Sequence, residues 1–509
     1  MTRTVLALGL TLLLAGSLLT GCLQSGEVNP AGNAPPAVPP IDADWVLRAL
    51  MPGEDHKHDD VTQHQNLTTP NFQVIGYDPL VSGYYGATPT GMGCGGVGTT
   101  AEGRRIAVVH TISTDVAFVV ADVTDPVAPK MLGEYLLPNV VVWDATVTPD
   151  GMHALVGADL AVFKGGWTPK APVPATLLGD RVKVQPLWRD ACTGETRAAG
   201  PEQYLPVGGS IVMVGLQDPT SPTFEDVVAQ PIIGPHSVTA HLIDGVMYAT
   251  ASVTNLVHEA SYYTIFTVEG TPAGSRLVPH TVLPAPGIET TNVGLNGHVD
   301  LFLQKHPLTG KVLAYLANWD AGMTIVDITT PGRPVILSTW RDGDEGSLHT
   351  TYPLPTLWAD GKHYTIAGQE VGPQEDKPTG WVYIIDTTDP AAPQEVGRWT
   401  LPMKPQDWPG GLMFSPHYVE VVNQTMFVTN YHGGLWAVSL ANLSAPDAVG
   451  LFVPDRVSPK PLQETQMVVV EDVIAGPDGI LTLWDGAGGI YLVRFDETNP
   501  APAPARFEG

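Results

Sequence analysis

Past residue 100 the chain repeats one arrangement of apolar and polar positions. A β-branched run is followed by a turn of the type Asp-Pro-x-x-Pro and then by a second apolar run, as in "VVADVTDPVAPKMLGEY" (119–135) and "YIIDTTDPAAPQEVGRWTL" (383–401). The first proline fixes φ and the aspartate bonds its own backbone, so the chain reverses there. The second proline cannot donate to a strand ladder, which predicts that an outer, edge-like strand begins at that point.

A second hairpin precedes each of these phrases, for example "KVLAYLANWDAGMTIVDI" and "TMFVTNYHGGLWAVSL", so the repeating unit holds about four strands. Units of this kind with a period of roughly 40–60 residues are typical of β-propeller blades. The pattern therefore predicts an all-β, seven-bladed β-propeller over residues 70–500, closed by pairing between the two ends of the chain, with a short tail at 501–509. The units are counted around 90–137, 140–228, 236–284, 298–341, 349–401, 417–453 and 464–496.

Two of the repeated phrases, "MTIVDITTPGRP" and "VYIIDTTDPAAP", resemble the strands of the LVIVD-repeat proteins, which are exported or surface propellers of prokaryotes. The resemblance extends over about residues 70–496. It implies the propeller fold and brings no established reaction. Two departures from the pattern stand out: an insertion around 163–207 in the second unit, and the absence of an Asp-Pro turn from the third unit, "TIFTVEGTPAG".

The N-terminus carries an export signal. Arg3 precedes an apolar core of about fifteen residues, too short for a membrane span and right for a signal peptide. The core ends in "LTGC" (19–22), which resembles the lipobox of prokaryotic lipoproteins; an ordinary signal peptide that ends in cysteine is the alternative. We expect residues 1–22 to be removed up to a lipidated Cys22, so that the protein is exported and membrane-anchored on the extracytoplasmic side.

Residues 23–69 are predicted to form a disordered Pro/Gly-rich tether, a short helix and the His/Asp-rich segment "EDHKHDDVTQH". That segment is interpreted as solvated surface, with loose metal chelation as the alternative. The composition also limits the partners. With 25 basic and 52 acidic side chains the formal net charge is −27, and such a surface repels phosphate backbones. Nucleic acid is therefore excluded as a partner.

Four histidines occupy one repeated position, the start of the first strand of their units. Because the first strand of every blade lines the channel of a propeller, these side chains are expected to converge at one channel mouth, where imidazoles would bind Fe, Zn or Cu. The residues are His236, His298, His349 and His417. Residues expected on the same face, able to orient the ligands, are Asp144, Asp320, Glu370 and His432. The alternative is a WD-like role, in which each histidine only ties neighbouring strands together.

Once Cys22 is lipidated, Cys94 and Cys192 remain in an oxidising compartment. Cys94 lies in the first unit and Cys192 in the insertion of the second, so we expect them to be close and to form a disulfide worth roughly 4–5 kcal/mol. Two independent thiols are the alternative.

The leading functional hypothesis from the sequence is a lipid-anchored, cell-surface binding platform for a protein, glycan or small molecule. The alternative is a metal-dependent oxidoreductase or lyase that works at the histidine-lined mouth. Motifs for other chemistry are absent from the sequence: there is no Gly-x-Ser-x-Gly elbow and no phosphate loop, and the Gly-rich stretch "GMGCGGVG" (91–98) is not followed by a helix pattern.

Overall fold

The structure, a computed structural model, is all-β in the part of the chain that it describes. The described residues are 68–498 except 81–91, 112–114, 161–180, 207–208, 231–234, 254–261, 272–273, 285–299, 320, 342–346, 371–379, 402–413, 455–468 and 487–488. Cys22, the predicted tether with its short helix, and the tail at 501–509 lie outside these residues.

Among the described residues the strands form seven antiparallel blade sheets, one for each predicted unit, and a small two-stranded sheet; each blade sheet runs outward from an inner strand. The innermost strands are β2 (Met92–Thr99), β6 (Val140–Val147), β14 (Ser237–Ile243), β18 (Leu301–Lys305), β22 (Leu348–Pro353), β26 (Val419–Val422) and β30 (Val470–Ala475). The second strands are β3 (Arg105–Thr111), β7 (His153–Leu160), β15 (Val246–Val253), β19 (Val312–Ala317), β23 (Tyr364–Gln369), β27 (Thr425–Thr429) and β31 (Ile480–Asp485).

Two further strands complete each sheet. The third strands are β4 (Val116–Asp122), β12 (Gly209–Gly215), β16 (Tyr262–Thr271), β20 (Met323–Asp327), β24 (Val382–Asp386), β28 (Leu435–Ser439) and β32 (Gly489–Phe495). The fourth strands are β5 (Lys130–Leu136), β13 (Thr223–Ala229), β17 (Gly274–Pro284), β21 (Val335–Trp340), β25 (Gln394–Trp399), β29 (Asp447–Phe452) and, in the last sheet, β1 (Phe72–Asp78).

The seven inner strands contact one another in sequence around a ring, and β30 of the last sheet contacts β2 of the first. The ring is closed by β1, which comes from the start of the chain and pairs antiparallel with β32, with Phe72 opposite Phe495. The prediction of a seven-bladed β-propeller closed by its two chain ends is thus confirmed.

The repeated turn behaves as its residue types predict. Asp125 and Asp389 each accept a hydrogen bond from the backbone N–H two residues later, at 3.0 Å. In five blades the fourth strand begins directly after the last proline of the turn, which is the second proline in four of them and the single proline in the sixth blade. These prolines are Pro129, Pro222, Pro334, Pro393 and Pro446. Because the missing N–H lies at the entry to an outer strand, no interior ladder bond is lost.

The insertion of the second blade packs onto the first blade. It forms four short strands, of which β9 (Leu187–Asp190) pairs with β5 and is followed by β10 (Thr196–Ala198), so the first sheet has six strands. The other two, β8 (Arg181–Val184) and β11 (Gln203–Pro206), pair with each other. The insertion thus covers the outer edge of blade 1, which would otherwise be an open strand edge.

The predicted disulfide between Cys94 and Cys192 is wrong, since both cysteines are free. Cys94 lies in β2, the innermost strand of the six-stranded sheet, whereas Cys192 is exposed in the turn between β9 and β10 at its outer end. Four strand spacings of about 4.8 Å separate β2 from β9, far beyond the Cα separation of about 7 Å that a disulfide tolerates.

Candidate metal centre in the channel

Three side chains from two adjacent blades meet at one mouth of the channel. His349 lies in β22, Glu370 directly follows β23, and His417 lies two residues before β26. Each offers one ligand atom, and these atoms all lie within 4.8 Å of one another. The two imidazole centroids are 4.3 Å apart, and His349 Nε2 is 3.6 Å from Glu370 Oε2. Donor atoms that each lie about 2.0–2.2 Å from a shared ion are separated from one another by distances similar to those observed here.

The hydrogen bond made by His417 fixes which of its nitrogens is available. Nδ1 lies 2.7 Å from the backbone carbonyl oxygen of Glu471. A carbonyl only accepts, so Nδ1 carries the proton and donates it, and the lone pair is left on Nε2. Metal-binding histidines are commonly oriented by a hydrogen bond of this kind from the other ring nitrogen.

His349 has an unsatisfied nitrogen. Its Nδ1 is buried without a hydrogen-bond partner among the described residues, although the backbone of His417 lies near the ring. The residue is only 2% exposed. A buried polar atom left unpaired costs about 1–3 kcal/mol, which is the kind of cost that persists at a functional site.

Both histidines are held in the neutral form that binds metals. Burial, with the neighbouring imidazole, lowers the pKa of His349 to about 3 and that of His417 to about 3. Burial likewise lowers the pKa of His236, which precedes β14. The side chain of His236 is nevertheless exposed, as expected of a group that faces a cavity enclosed by protein. At neutral pH these imidazoles therefore present lone pairs and carry no charge.

Glu370 is oriented by a tyrosine from the next blade. The Tyr431 hydroxyl donates to Glu370 Oε1 at 2.6 Å, which leaves Oε2 on the side of His349. The Tyr431 ring also lies 4.5 Å from the His417 ring, centroid to centroid. Its backbone has a positive φ of 46° and exchanges hydrogen bonds with Val470 of blade 7 at 3.1 and 2.9 Å. Positive φ is strained for a bulky residue and often marks a functional position.

The walls of the channel carry buried carboxyl groups. Burial raises the pKa of Asp144 to about 7 and that of Asp300 to about 6, and it raises the pKa values of Glu471 and Asp472 far above their usual range. The neighbouring charges that raise these values further are other carboxylates. A bound cation would supply the missing opposite charge.

Asp144 also holds two blades together, because its Oδ2 accepts the N–H of Val238 in β14 at 2.8 Å. Its folded-state pKa lies above the unfolded value, so its contribution to stability is lost as the pH rises through about 7. The channel histidines titrate in the unfolded state near pH 6.5, equally in a variant and in the wild type, so their contribution cancels when the two are compared.

We therefore expect Asp144→Asn to flatten the pH dependence of stability of the metal-free protein. Between pH 6.5 and 8.5 the free energy of unfolding should fall by about 0.5–1 kcal/mol less in the variant than in the wild type. Urea unfolding across this range measures the difference, and Glu102→Gln, which removes an exposed carboxylate, is the control. A slope identical to that of the wild type would contradict the raised pKa.

The remaining predicted residues are placed as follows. His298 and Asp320 lie outside the described residues. His432 is half-buried in the loop between β27 and β28, with its ring 6.2 Å from that of Phe414, and does not belong to the three-residue cluster. Asp144 lines the channel 3.7 Å from His110 and serves as an inter-blade acceptor.

His110 was missed by the sequence reasoning because it ends a second strand, β3, rather than starting a first one. Its Nδ1 donates to the Cys94 carbonyl at 2.9 Å, and burial lowers its pKa to about 4. A Cβ on Gly93 would lie only 2.0 Å from the His110 ring, so the glycine leaves the space that this imidazole occupies. The Gly-rich stretch therefore serves close packing. Tyr431 was also missed, although "ANW" (317–319) and "TNY" (429–431) are matching phrases after second strands.

The ring of seven four-stranded units around a channel defines this protein as a seven-bladed β-propeller. The family model of the LVIVD repeat matches residues 313–341, which span β19 to β21 of the fourth blade. The fourth blade thus matches the LVIVD repeat, which confirms the resemblance of its strands. A comparison with curated proteins finds no match.

Solved propellers align over most of the chain at low identity. A chain of the mitotic checkpoint complex has 9% identity, covers 87% of this chain and 99% of its own, and gives a TM-score of 0.45. Sqt1 of Saccharomyces cerevisiae has 9% identity, covers 80% of this chain and 96% of its own, and gives a TM-score of 0.40. The WD40 domain of Doa1 has 10% identity, covers 80% of this chain and 97% of its own, and gives a TM-score of 0.41. Similarity at this level carries no information about function.

Within the described part of the chain, no helix has the length and apolar character needed to cross a membrane.

Proposed function

We propose that this protein is an exported metal-dependent propeller whose channel mouth binds one divalent transition-metal ion, Fe(II) or Zn(II), through His349, His417 and Glu370. The observation that carries the proposal is the convergence of three donor atoms within 4.8 Å of one another, from two neutral imidazoles and a carboxylate. Two histidines and one carboxylate are the donors typical of non-haem Fe(II) and of catalytic Zn sites.

The donor set supports a catalytic rather than a purely structural ion. Structural zinc sites are closed by four protein ligands, whereas three protein ligands leave at least one position for water or substrate. The propeller itself is consistent with an interaction platform, since its loop faces offer broad surfaces for a partner. The metal-dependent activity is the finer proposal, and the channel geometry supports it over a platform without a metal.

The test is elemental analysis of the tag-free protein after purification and after reconstitution with Fe(II) or Zn(II). We expect about one ion per chain, retained through gel filtration and removed by a chelator. Stoichiometry near zero with both ions would overturn the proposal. Retention of Cu instead would keep the site and change the metal.

Tyr431→Phe is expected to weaken metal binding without removing a ligand. The variant loses the hydroxyl that holds Glu370, and loss of such a supporting hydrogen bond typically lowers metal affinity by about 10–100-fold. Competition with a chromogenic chelator measures the affinity. The matched control is Tyr364→Phe, which removes a hydroxyl bonded to Asp360 at 2.6 Å beside the turn between β22 and β23. Equal affinities in the two variants would contradict a positioning role for Tyr431.

We further propose that Cys22 is lipidated and anchors the propeller on the extracytoplasmic side of a membrane. The support is the sequence "LTGC" after a short apolar core and before a polar tether. Cys22→Ser is expected to move the protein from the membrane fraction to the soluble fraction, as followed by immunoblotting. The control is Cys192→Ser, which changes an exposed thiol of the propeller. Unchanged membrane association of Cys22→Ser would contradict the anchor.

A further inference from the structure

A row of contacting side chains lies below the proposed metal centre on one side of the channel. Three to five residues further along the inner strands, His241, Phe302, Tyr352 and Glu420 follow one another from blade 3 to blade 6. The His241 and Phe302 ring centroids are 4.6 Å apart, those of Phe302 and Tyr352 are 5.4 Å apart, and the Tyr352 hydroxyl donates to Glu420. On this side of the channel a ligand therefore reaches the site from the face that carries the loops between second and third strands.

Two indole rings flank the imidazoles at that mouth. Trp143 lies at the bulge in β6, is 37% exposed, and stacks on His236 with centroids 6.4 Å apart and planes 17° apart. Trp319 lies edge-on to His349 at 6.3 Å. The exposed indole of Trp143 offers an apolar, planar surface beside His236.

The backbone holds Trp319 in an unfavourable conformation. Its φ is +44°, and it is fixed there by two hydrogen bonds with Leu348 of the next blade, at 3.0 and 3.1 Å. Glycine or asparagine would adopt this conformation at lower cost, so the position is held by an indole at the expense of local strain. The strain places the ring next to His349.

The charge of the walls limits what can lie on these rings. Asp144, Asp300, Glu471 and Asp472 line the channel, and the neighbouring titratable groups that act on Asp144, Glu471 and Asp472 are other carboxyl groups. Carboxyl groups, whether protonated or ionised, supply no positive charge that could pair with a phosphate, sulfate or carboxylate group. An uncharged ring whose hydroxyl groups face the ion needs no such partner in the walls.

We propose that the mouth binds a catechol, a benzene ring with two adjacent hydroxyl groups and no anionic substituent. The ring lies against Trp143 and Trp319, and its hydroxyl oxygens take the positions on the metal ion that the protein leaves open. This inference rests on the proposed metal centre and names the class of substrate that would bind there. Aromatic stacking selects the planar ring, and adjacent oxygens suit two neighbouring coordination positions.

The test is calorimetric titration of the metal-loaded protein with three probes: catechol, cyclohexane-1,2-diol and 3,4-dihydroxybenzoate. Catechol should bind at least about tenfold more tightly than the saturated diol, which cannot stack, and than the benzoate, whose carboxylate finds no positively charged partner in the part of the walls that the structure describes. Metal removal should weaken catechol binding by at least a similar factor.

Trp143→Ala and Trp319→Ala should each weaken catechol binding by about 3- to 10-fold, with one ion per chain retained. Trp319→Phe should restore most of the loss, because it keeps an aromatic face. Trp358→Ala, in the turn between β22 and β23, is the control and should change nothing. Full metal content with unchanged catechol affinity in both alanine variants, or equal affinity for the saturated diol, would overturn this inference and leave the metal centre intact. Absence of metal would overturn both.

Discussion

Replacing His417 or His349 with alanine is expected to abolish metal retention. Each change removes one of three protein donors, so the affinity should fall by more than the roughly 10–100-fold that loss of a supporting hydrogen bond costs. The stabilisation by metal should disappear as well: at a free ion concentration 100 times the Kd it amounts to about 2.7 kcal/mol in the wild type. Elemental analysis and thermal unfolding with and without metal measure the two effects.

Alanine leaves a cavity at these buried positions, so Glu370→Gln provides a second variant of nearly unchanged shape. It keeps an acceptor for the Tyr431 hydroxyl and removes the negative charge that a cation requires. The control is His280→Ala on the outermost strand of blade 3, where the imidazole is exposed and bonded to Thr267. If the His280 variant lost metal as completely as the channel variants, binding would not occur at the proposed centre.

Phe72→Ala is expected to be the most destabilising single change at the closure of the ring. Phe72 is 6% exposed and packs against Phe495, Phe452 and Phe427, with centroids 4.8, 5.9 and 6.3 Å away. Truncating a buried phenylalanine costs about 3–5 kcal/mol. Phe72 lies in the blade that is built from both chain ends and closes the ring of blades. Its truncation should therefore also weaken the pairing of β1 with β32.

Urea unfolding measures the effect, and Val74→Ala is the matched control. Val74 lies in the same strand and pairs with Val493, but 41% of it is exposed. Its truncation should cost less than about 1 kcal/mol, since surface substitutions away from special features usually change stability by about half that much. Equal costs at the two positions would mean that the closing strand contributes little to the stability of the propeller.

Much of the fold could be predicted from the chain because its signals are local. The Asp-Pro-x-x-Pro phrase acts through bonds between residues two apart, as at Asp125 and Asp389, and the strand that follows starts after the second proline. Counting such phrases with the hairpins before them gave seven blades. The third blade has no such turn, yet β14 to β17 form the same four-stranded sheet, and β15 and β16 carry the same continuous buried runs as the middle strands of the other blades.

The candidate site was predictable only in part. A repeated position singled out His349 and His417, and the structure places their rings 4.3 Å apart. The hydroxyl of Tyr431 on Glu370 could not be foreseen, since it joins residues 61 apart on two blades. The disulfide failed for a related reason: nearness of two units along the chain does not show that two residues share one end of a sheet.

The sequence alone determined the strands, the turns and the number of repeating units, because these depend on residues within a few positions of each other. Ring closure decided the rest. It brings Phe72 to Phe495, turns equivalent positions on separate blades toward one axis, and buries them so deeply that His349 and His417 are neutral. It also sets the hydrogen bond from His417 to the Glu471 carbonyl, which leaves Nε2 free. Distances between blades and burial in a shared channel are properties of the closed ring, and no local stretch of the chain contains them.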